Sequence, residues 1–236
     1  MAPALSRSIR GFSLIELLVV ITIVAILAGL LLPAIGMVKS SAQASFCRNN
    51  LRQLNMAALG YANAYSGMTL SPCNYSSWSN TWISNTEFLD LWTEANNSTA
   101  FTIPGKLLCP VSKTPTDVTK SRLQVSYGMN KTKDRWSSTF SSGSGPISFN
   151  IATAGQLSQL VSFSDALHWH LQTESANPTS GFWSGYWAAG SPSPEGVRQD
   201  AAVAYRHRTR ANAAFYDGHV QGMAPVDLWV NSLWMR

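Results

Sequence analysis

From Leu14 to Ile35 the chain reads LIELLVVITIVAILAGLLLPAI, an apolar run in which Glu16 is the one charge. As a helix this run is about 33 Å long, enough for a bilayer core of about 30 Å. It predicts a membrane-spanning helix. The preceding residues, Met1 to Gly11, carry Arg7 and Arg10 and no acid, so the N-terminus stays in the cytoplasm and the rest of the chain crosses. The run is longer than the apolar region of a secretory signal peptide and is not closed by an A-x-A site, which argues against simple removal of the whole segment. Glu16 stands at the membrane entrance, where a carboxylate needs a partner or a route to the headgroups.

Beyond Gly36 the pattern changes. Ala44, Cys47, Leu51, Leu54, Ala58, Tyr61 and Tyr65 recur at spacings of three and four, while Arg48, Asn49, Arg52, Gln53 and Asn55 fall between them. This predicts that the helix continues to about Tyr65 with one stripe facing a partner. A helix from Phe12 to Tyr65 is about 80 Å long. A coiled-coil seam is the alternative use of the stripe, but the small residues Ala44 and Ala58 suit close packing on a sheet better than a leucine seam.

The remainder reads as short strands between Ser, Asn, Gly and Pro loops. Ser84 and Glu87 form a candidate capping box for a helix through Phe88, Leu89, Leu91 and Trp92. Strands are expected at 106–109, 124–130, 159–163, 201–205, 212–216 and 219–223. The last two flank Asp217-Gly218, a strong hairpin signal because such a turn needs positive φ. A helix or turn over 226–234 closes the chain, and 137–146 reads as a loop.

Composition adds limits. The chain has 236 residues and 45% apolar content, enough for a packed core. Charged residues are only 12%, about half the usual share. The excess of 17 Lys and Arg over 12 Asp and Glu is too diffuse for a nucleic-acid binder. Part of that excess is an orientation signal, since residues 1–11 hold two of the arginines.

The segment Arg10-Gly11-Phe12-Ser13-Leu14-Ile15-Glu16-Leu17-Leu18 resembles the class III signal of type IV prepilins and type II secretion pseudopilins. The resemblance implies cleavage between Gly11 and Phe12 by a prepilin peptidase and N-methylation of Phe12. It makes Glu16 the residue that neutralises a neighbouring subunit's terminal amine in a filament, because a buried carboxylate and a buried ammonium are each costly unless paired. Pro33 removes an intrahelical hydrogen bond and permits a kink. His207, nine residues, then Asp217-Gly218 resembles the H-x9-DG signature of a large family of bacterial pseudopilin-like proteins. Residues 47–54, Cys109-Pro110 and 126–130 are similar to segments of the same family. The expected fold is therefore α+β, a pilin-like lollipop with the long helix packed on a small antiparallel sheet. Its expected parts are a leader at 1–11, a transmembrane and filament-core half-helix at 12–35, an amphipathic half-helix at 36–66 and a globular head at 67–236.

Candidate chemistry lies in the cysteines and histidines. Three cysteines exclude a disulfide-dense scaffold and an all-cysteine zinc site. In an oxidising compartment they allow one disulfide. Cys47 with Cys109 would staple helix to sheet; Cys73 with Cys109 is the rival, and reduced buried thiols are the third option. His168 and His170, with Asp165 nearby, form a weak candidate metal set, since i and i+2 on a strand share a face. His207 and Asp217 are expected to hydrogen-bond across the hairpin and fix its turn. No nucleophile elbow, phosphate loop or paired carboxylates accompany them, so no enzyme activity and no cofactor are expected. The aromatic run Phe182 to Trp187 suits core filling or subunit packing, and Arg206, Arg208 and Arg210 suit a solvated turn, with no nucleic acid expected.

These readings point to a structural subunit that is held in the inner membrane as a single pass before assembly and lies in a periplasmic or extracellular filament afterwards. Its expected partners are the prepilin peptidase and methyltransferase, the inner membrane, further copies of itself in a helical filament, and pilus or type II secretion assembly machinery. The alternative is a membrane-tethered, surface-displayed ligand- or metal-binding module that does not polymerise.

Overall fold

The structure is a computed structural model that describes residues 13–74, 77–93, 103–112, 123, 126–130, 148–171, 202–228 and 233. The fold class is α+β: a long N-terminal helix, α1 (Leu14–Ala64), and a mixed five-stranded sheet. Residues 1–41 and 42–236 form two compact units.

In the first unit α1 runs without interruption through Pro33. The large apolar side chains from Leu14 to Val38 are exposed. Such a surface is stable only against lipid or other apolar chains. The most apolar stretch has no buried residue, and the helix is long and apolar enough to cross a membrane. Its first turn is closed by Ser13, whose Oγ accepts from the Ile15 N–H at 3.3 Å, and by Glu16, whose Oε2 accepts from the Ser13 N–H at 2.8 Å. This is a capping box, with two orphan donors satisfied reciprocally.

In the second unit α1 buries Cys47, Asn50, Leu51, Leu54, Asn55, Ala58 and Ala62. The stripe is thus wider than the apolar positions alone suggest, because it takes in two asparagines. Asn50 Nδ2 donates to the carbonyls of Lys106 and Leu108, both at 3.1 Å. Asn55 Nδ2 donates to the Phe215 carbonyl at 2.6 Å, and its Oδ1 lies 2.8 Å from Ser162 Oγ. Tyr61 and Tyr65 stack at the edge of the stripe, and the Tyr65 hydroxyl donates to Glu87. The helix ends where Ser66 and Gly67 turn to positive φ and the Gly67 N–H bonds the Ala62 carbonyl at 2.8 Å.

A small antiparallel pair, β1 (Cys73–Asn74) and β2 (Ser77–Thr81), leads into a 3-10 turn at Trp82–Ser84 and helix α2 (Thr86–Thr93). The expected capping box at Ser84 and Glu87 is not what starts α2. Asn85 caps it, accepting from the Phe88 N–H at 3.0 Å, because Glu87 is engaged with Tyr65. The strand expected at 106–109 is instead a 3-10 turn, Gly105–Leu107. Asn50 of the helix takes the carbonyls of Lys106 and Leu108, and Pro104 and Pro110 bracket the segment.

The main sheet comprises β3 (Tyr127–Asn130), β4 (Val161–Asp165), β5 (His170–Leu171), β6 (Ala211–Phe215) and β7 (Val220–Met223), in the order β5-β3-β4-β6-β7. Its pairs are antiparallel except β5 with β3, which run parallel. The expectation of a purely antiparallel sheet is corrected here. The cause is the link 166–169, which leaves β4, passes across β3 and returns on its far side. That passage needs a residue without a side chain beneath it. A Cβ on Gly128 would stand 2.5 Å from the His168 carbonyl oxygen and 2.9 Å from both Ala166 and Leu171. Residues 202–205, expected as a strand, make one bridge, Val203 with Ala166. Helix α3 (Pro225–Leu228) begins with proline at its first position, and the rest of the expected 226–234 element, apart from Leu233, lies outside the described residues.

Every residue of β4 and β6 is buried. One core joins α1 to Trp82, Phe88, Tyr127 and Phe163, and another joins Val203, Tyr205, Phe215 and Leu228. With both faces covered, β4 still alternates apolar residues with serines, whose buried hydroxyls donate to the Ala214 and Asn212 carbonyls of β6.

Gly128→Ala is expected to lower the urea unfolding free energy by about 1–3 kcal/mol, the usual cost of forcing atoms into a packed core. An unchanged midpoint would show that the link over β3 gives way freely.

Candidate functional site

Two places carry chemistry. The first is the start of α1. Gly11 and Phe12, the expected cleavage and methylation residues, lie outside the described residues. Glu16 is exposed and already bonded to its own helix terminus through Oε2. The Ser13-x-x-Glu16 spacing that signals this cap was readable in the sequence, yet the pilin-like resemblance drew attention to the charge of Glu16 alone.

The second place is buried in the second unit, where Cys47, Cys109, Asp165 and His207 bring one ligand-type atom each to within 4.8 Å of one another. Cys47 comes from α1, Cys109 from the segment after the 3-10 turn, Asp165 from the end of β4 and His207 from the turn before β6. The sulfurs of Cys47 and Cys109 lie 2.7 Å apart. The pairing expected from the sequence is therefore present as proximity, while the side chain of the rival, Cys73, lies outside the described residues.

His207 Nε2 lies 3.8 Å from Cys109 Sγ and 3.4 Å from Asp165 Oδ2. The same Oδ2 accepts from the Asn212 N–H at 2.7 Å and from Asn212 Nδ2 at 3.0 Å. Asp165 Oδ1 is buried and has no hydrogen-bond partner. Burial pushes the Asp165 carboxyl up to about 7 against the opposing pull of His207. For His207, burial pulls down, but the contact with Cys109 and the charge of Asp165 prevail and raise it. For Cys109, burial pushes up, and Cys47 and His207 outweigh it, holding the thiol below its ordinary value. Cys47 is raised, first by its hydrogen bond to Cys109 and then by burial. The pair thus favours one thiolate, on the side where His207 and Arg206 stand.

A tight turn positions His207. Arg208 and Thr209 both have positive φ, 52° and 61°, and His207 and Arg210 exchange two backbone hydrogen bonds of 3.0 and 3.1 Å. Positive φ at a β-branched residue is costly and persists only where the surroundings enforce it. Two of the three arginines serve the fold: Arg206 donates to the Ala166 carbonyl at 2.8 Å and Arg210 to the Gly222 carbonyl at 3.0 Å.

The expected His207 to Asp217 hydrogen bond is corrected. His207 turns inward to Asp165 and Cys109, and Asp217 bonds the ring of His219 at 2.6 Å and its N–H at 3.1 Å. Gly218 does take the positive φ, 100°, that the turn requires. The candidate trio Asp165, His168 and His170 is corrected too. The two histidine rings meet edge to face at 4.3 Å, but among the described residues the converging ligand-type group contains Asp165 without either of them. The aromatic run at 182–187 lies outside the described residues.

Against known proteins, one segment matches. Residues 6–32 match the prokaryotic N-terminal methylation motif. The methylation motif overlaps the first turns of α1 and includes Gly11, Phe12 and Glu16. It points to a type IV pilin-like, prepilin-processed protein, a structural rather than catalytic kind, and together with the apolar helix it fits membrane anchoring before assembly. Processing by a prepilin peptidase and entry into pilus or secretion assembly are what the motif implies. No curated protein matches the chain, and no solved structure does.

His207→Ala is expected to lower stability by about 3–5 kcal/mol, because it strips the partner from a buried carboxylate. Asp217→Ala, at a half-exposed pair, is expected to cost under about 1 kcal/mol. Chemical denaturation of the two variants checks the assignment; equal losses would return His207 to the hairpin.

Proposed function

We propose that this chain is a structural subunit of a type IV pilus or pseudopilus-like filament. It is cleaved after Gly11, N-methylated at Phe12 and polymerised through α1. The observation that carries this reading is the coincidence of the methylation motif at 6–32 with a 51-residue helix whose apolar part from Leu14 to Val38 is exposed. In the membrane that surface faces lipid; in a filament it faces the same surface of other copies, so extraction from the bilayer exposes no apolar area to water. The residues after 41 then form the unit presented outside.

Glu16 has two duties in this reading. Its Oε2 caps the helix in the single chain. A carboxylate can accept several hydrogen bonds, so the same group also receives the amino terminus of a neighbouring subunit, which offsets the burial of both charges. Pro33 gives the helix a place to bend as it moves from bilayer to filament.

Electron microscopy of material sheared from the cell surface, with N-terminal sequencing, is expected to show filaments whose subunit begins with methylated Phe12. Glu16→Gln keeps a capping side chain but removes the charge. It is expected to abolish filaments while leaving a folded, membrane-bound protein. Unchanged filaments would sink the pairing with the terminal amine, and cleaved, surface-displayed protein without filaments in the unsubstituted chain would favour a non-polymerising tether.

A further inference from the structure

We propose that Cys47, Cys109, Asp165 and His207 form a closed structural zinc(II) site that ties α1 to the sheet. Four ligand-type atoms from four separate segments converge in a buried space. Their chemistry selects the ion: two sulfurs and an imidazole suit zinc and exclude calcium and magnesium, which take oxygen ligands.

The geometry distinguishes ligation from catalysis. In a nucleophile relay the thiol and the carboxylate occupy opposite ring nitrogens of the histidine. Here Cys109 Sγ and Asp165 Oδ2 both approach Nε2. One nitrogen holds at most one proton and can donate to one neighbour only. Lone pairs from sulfur, oxygen and nitrogen aimed at one point are what a cation organises.

Two of the separations fit a tetrahedron, and the one between the sulfurs does not. Bonds of about 2.3 Å to sulfur and about 2.0 Å to nitrogen and oxygen give edges of about 3.6 Å between sulfur and nitrogen and about 3.3 Å between nitrogen and oxygen. The corresponding separations are 3.8 Å and 3.4 Å. The sulfur edge would be about 3.8 Å, so Cys47 and Cys109 must part by about 1 Å from their present 2.7 Å. Asn212 supplies the outer support, since its two N–H donors fix the Asp165 carboxylate. On binding, every proton held by the two sulfurs, the Asp165 carboxyl and the liganding nitrogen of His207 leaves to solvent. Two thiolates, one carboxylate and a neutral imidazole around a divalent ion leave one negative charge, which the nearby Arg206 guanidinium balances.

The test uses the full-length chain extracted in mild detergent, without reductant or chelator. Elemental analysis is expected to give one zinc per chain. X-ray absorption at the zinc edge of the unsubstituted protein is expected to show two sulfur and two nitrogen or oxygen neighbours, so the result does not depend on a variant folding. Cys47→Ser is expected to lose the zinc or replace one sulfur neighbour. A Cys47 to Cys109 disulfide found by intact mass and peptide mapping overturns the proposal, as does metal-free thiol protein that takes up no cobalt(II) with tetrahedral visible bands. Zinc bound only by nitrogen and oxygen overturns it equally.

Discussion

Two buried asparagines, Asn50 and Asn55, hold α1 in register against the rest of the second unit. Asn55 reaches the Phe215 carbonyl and Ser162 beside the irregular pairing between Val161 and Phe163, while Asn50 takes two carbonyls of the segment that carries Cys109. An amide buried without these partners costs about 1–3 kcal/mol per group. Rotating the helix by one residue position would therefore lose both anchors at once, which apolar contacts alone would not forbid. The consequence reaches the buried cluster. With Asn50 and Leu51 fixed, Cys47 one turn earlier can only face Cys109 and the end of β4.

The chain thus separates its chemistry by solvent. At the start of α1 an exposed carboxylate closes the terminus of an apolar helix. In the second unit four titratable side chains converge in a buried space.

Much of this was legible in the sequence. The three-and-four spacing from Cys47 to Ala58 located the helix face, the 14–35 run located the apolar half, and Asp217-Gly218 located the last hairpin. What escaped did so for identifiable reasons. Asn55 falls between the apolar positions of the stripe, and the carbonyl that draws it into the core is 160 residues away. The parallel β5 strand is two residues long and depends on a crossing above Gly128 that no local pattern encodes. Segment 106–109 has strand-like composition, but Asn50 claims its carbonyls. The cluster was half legible: the cysteine pair was seen, while Asp165 and His207 were assigned to other partners because each has a nearer histidine or aspartate in sequence.

The distance along the chain between α1 and its partners has a consequence for biogenesis. The strands that cover the helix, β4 and β6, end at residues 165 and 215, and β3 gains neither neighbour until residues 161–171 have emerged. The stripe from Cys47 to Ala62 consequently stays uncovered until most of the polypeptide has been made. Contacts so remote in sequence form slowly and leave apolar surface open to wrong associations. A chain of this design makes its long helix first and covers it last, so its vulnerable period is set by how soon its C-terminal third follows.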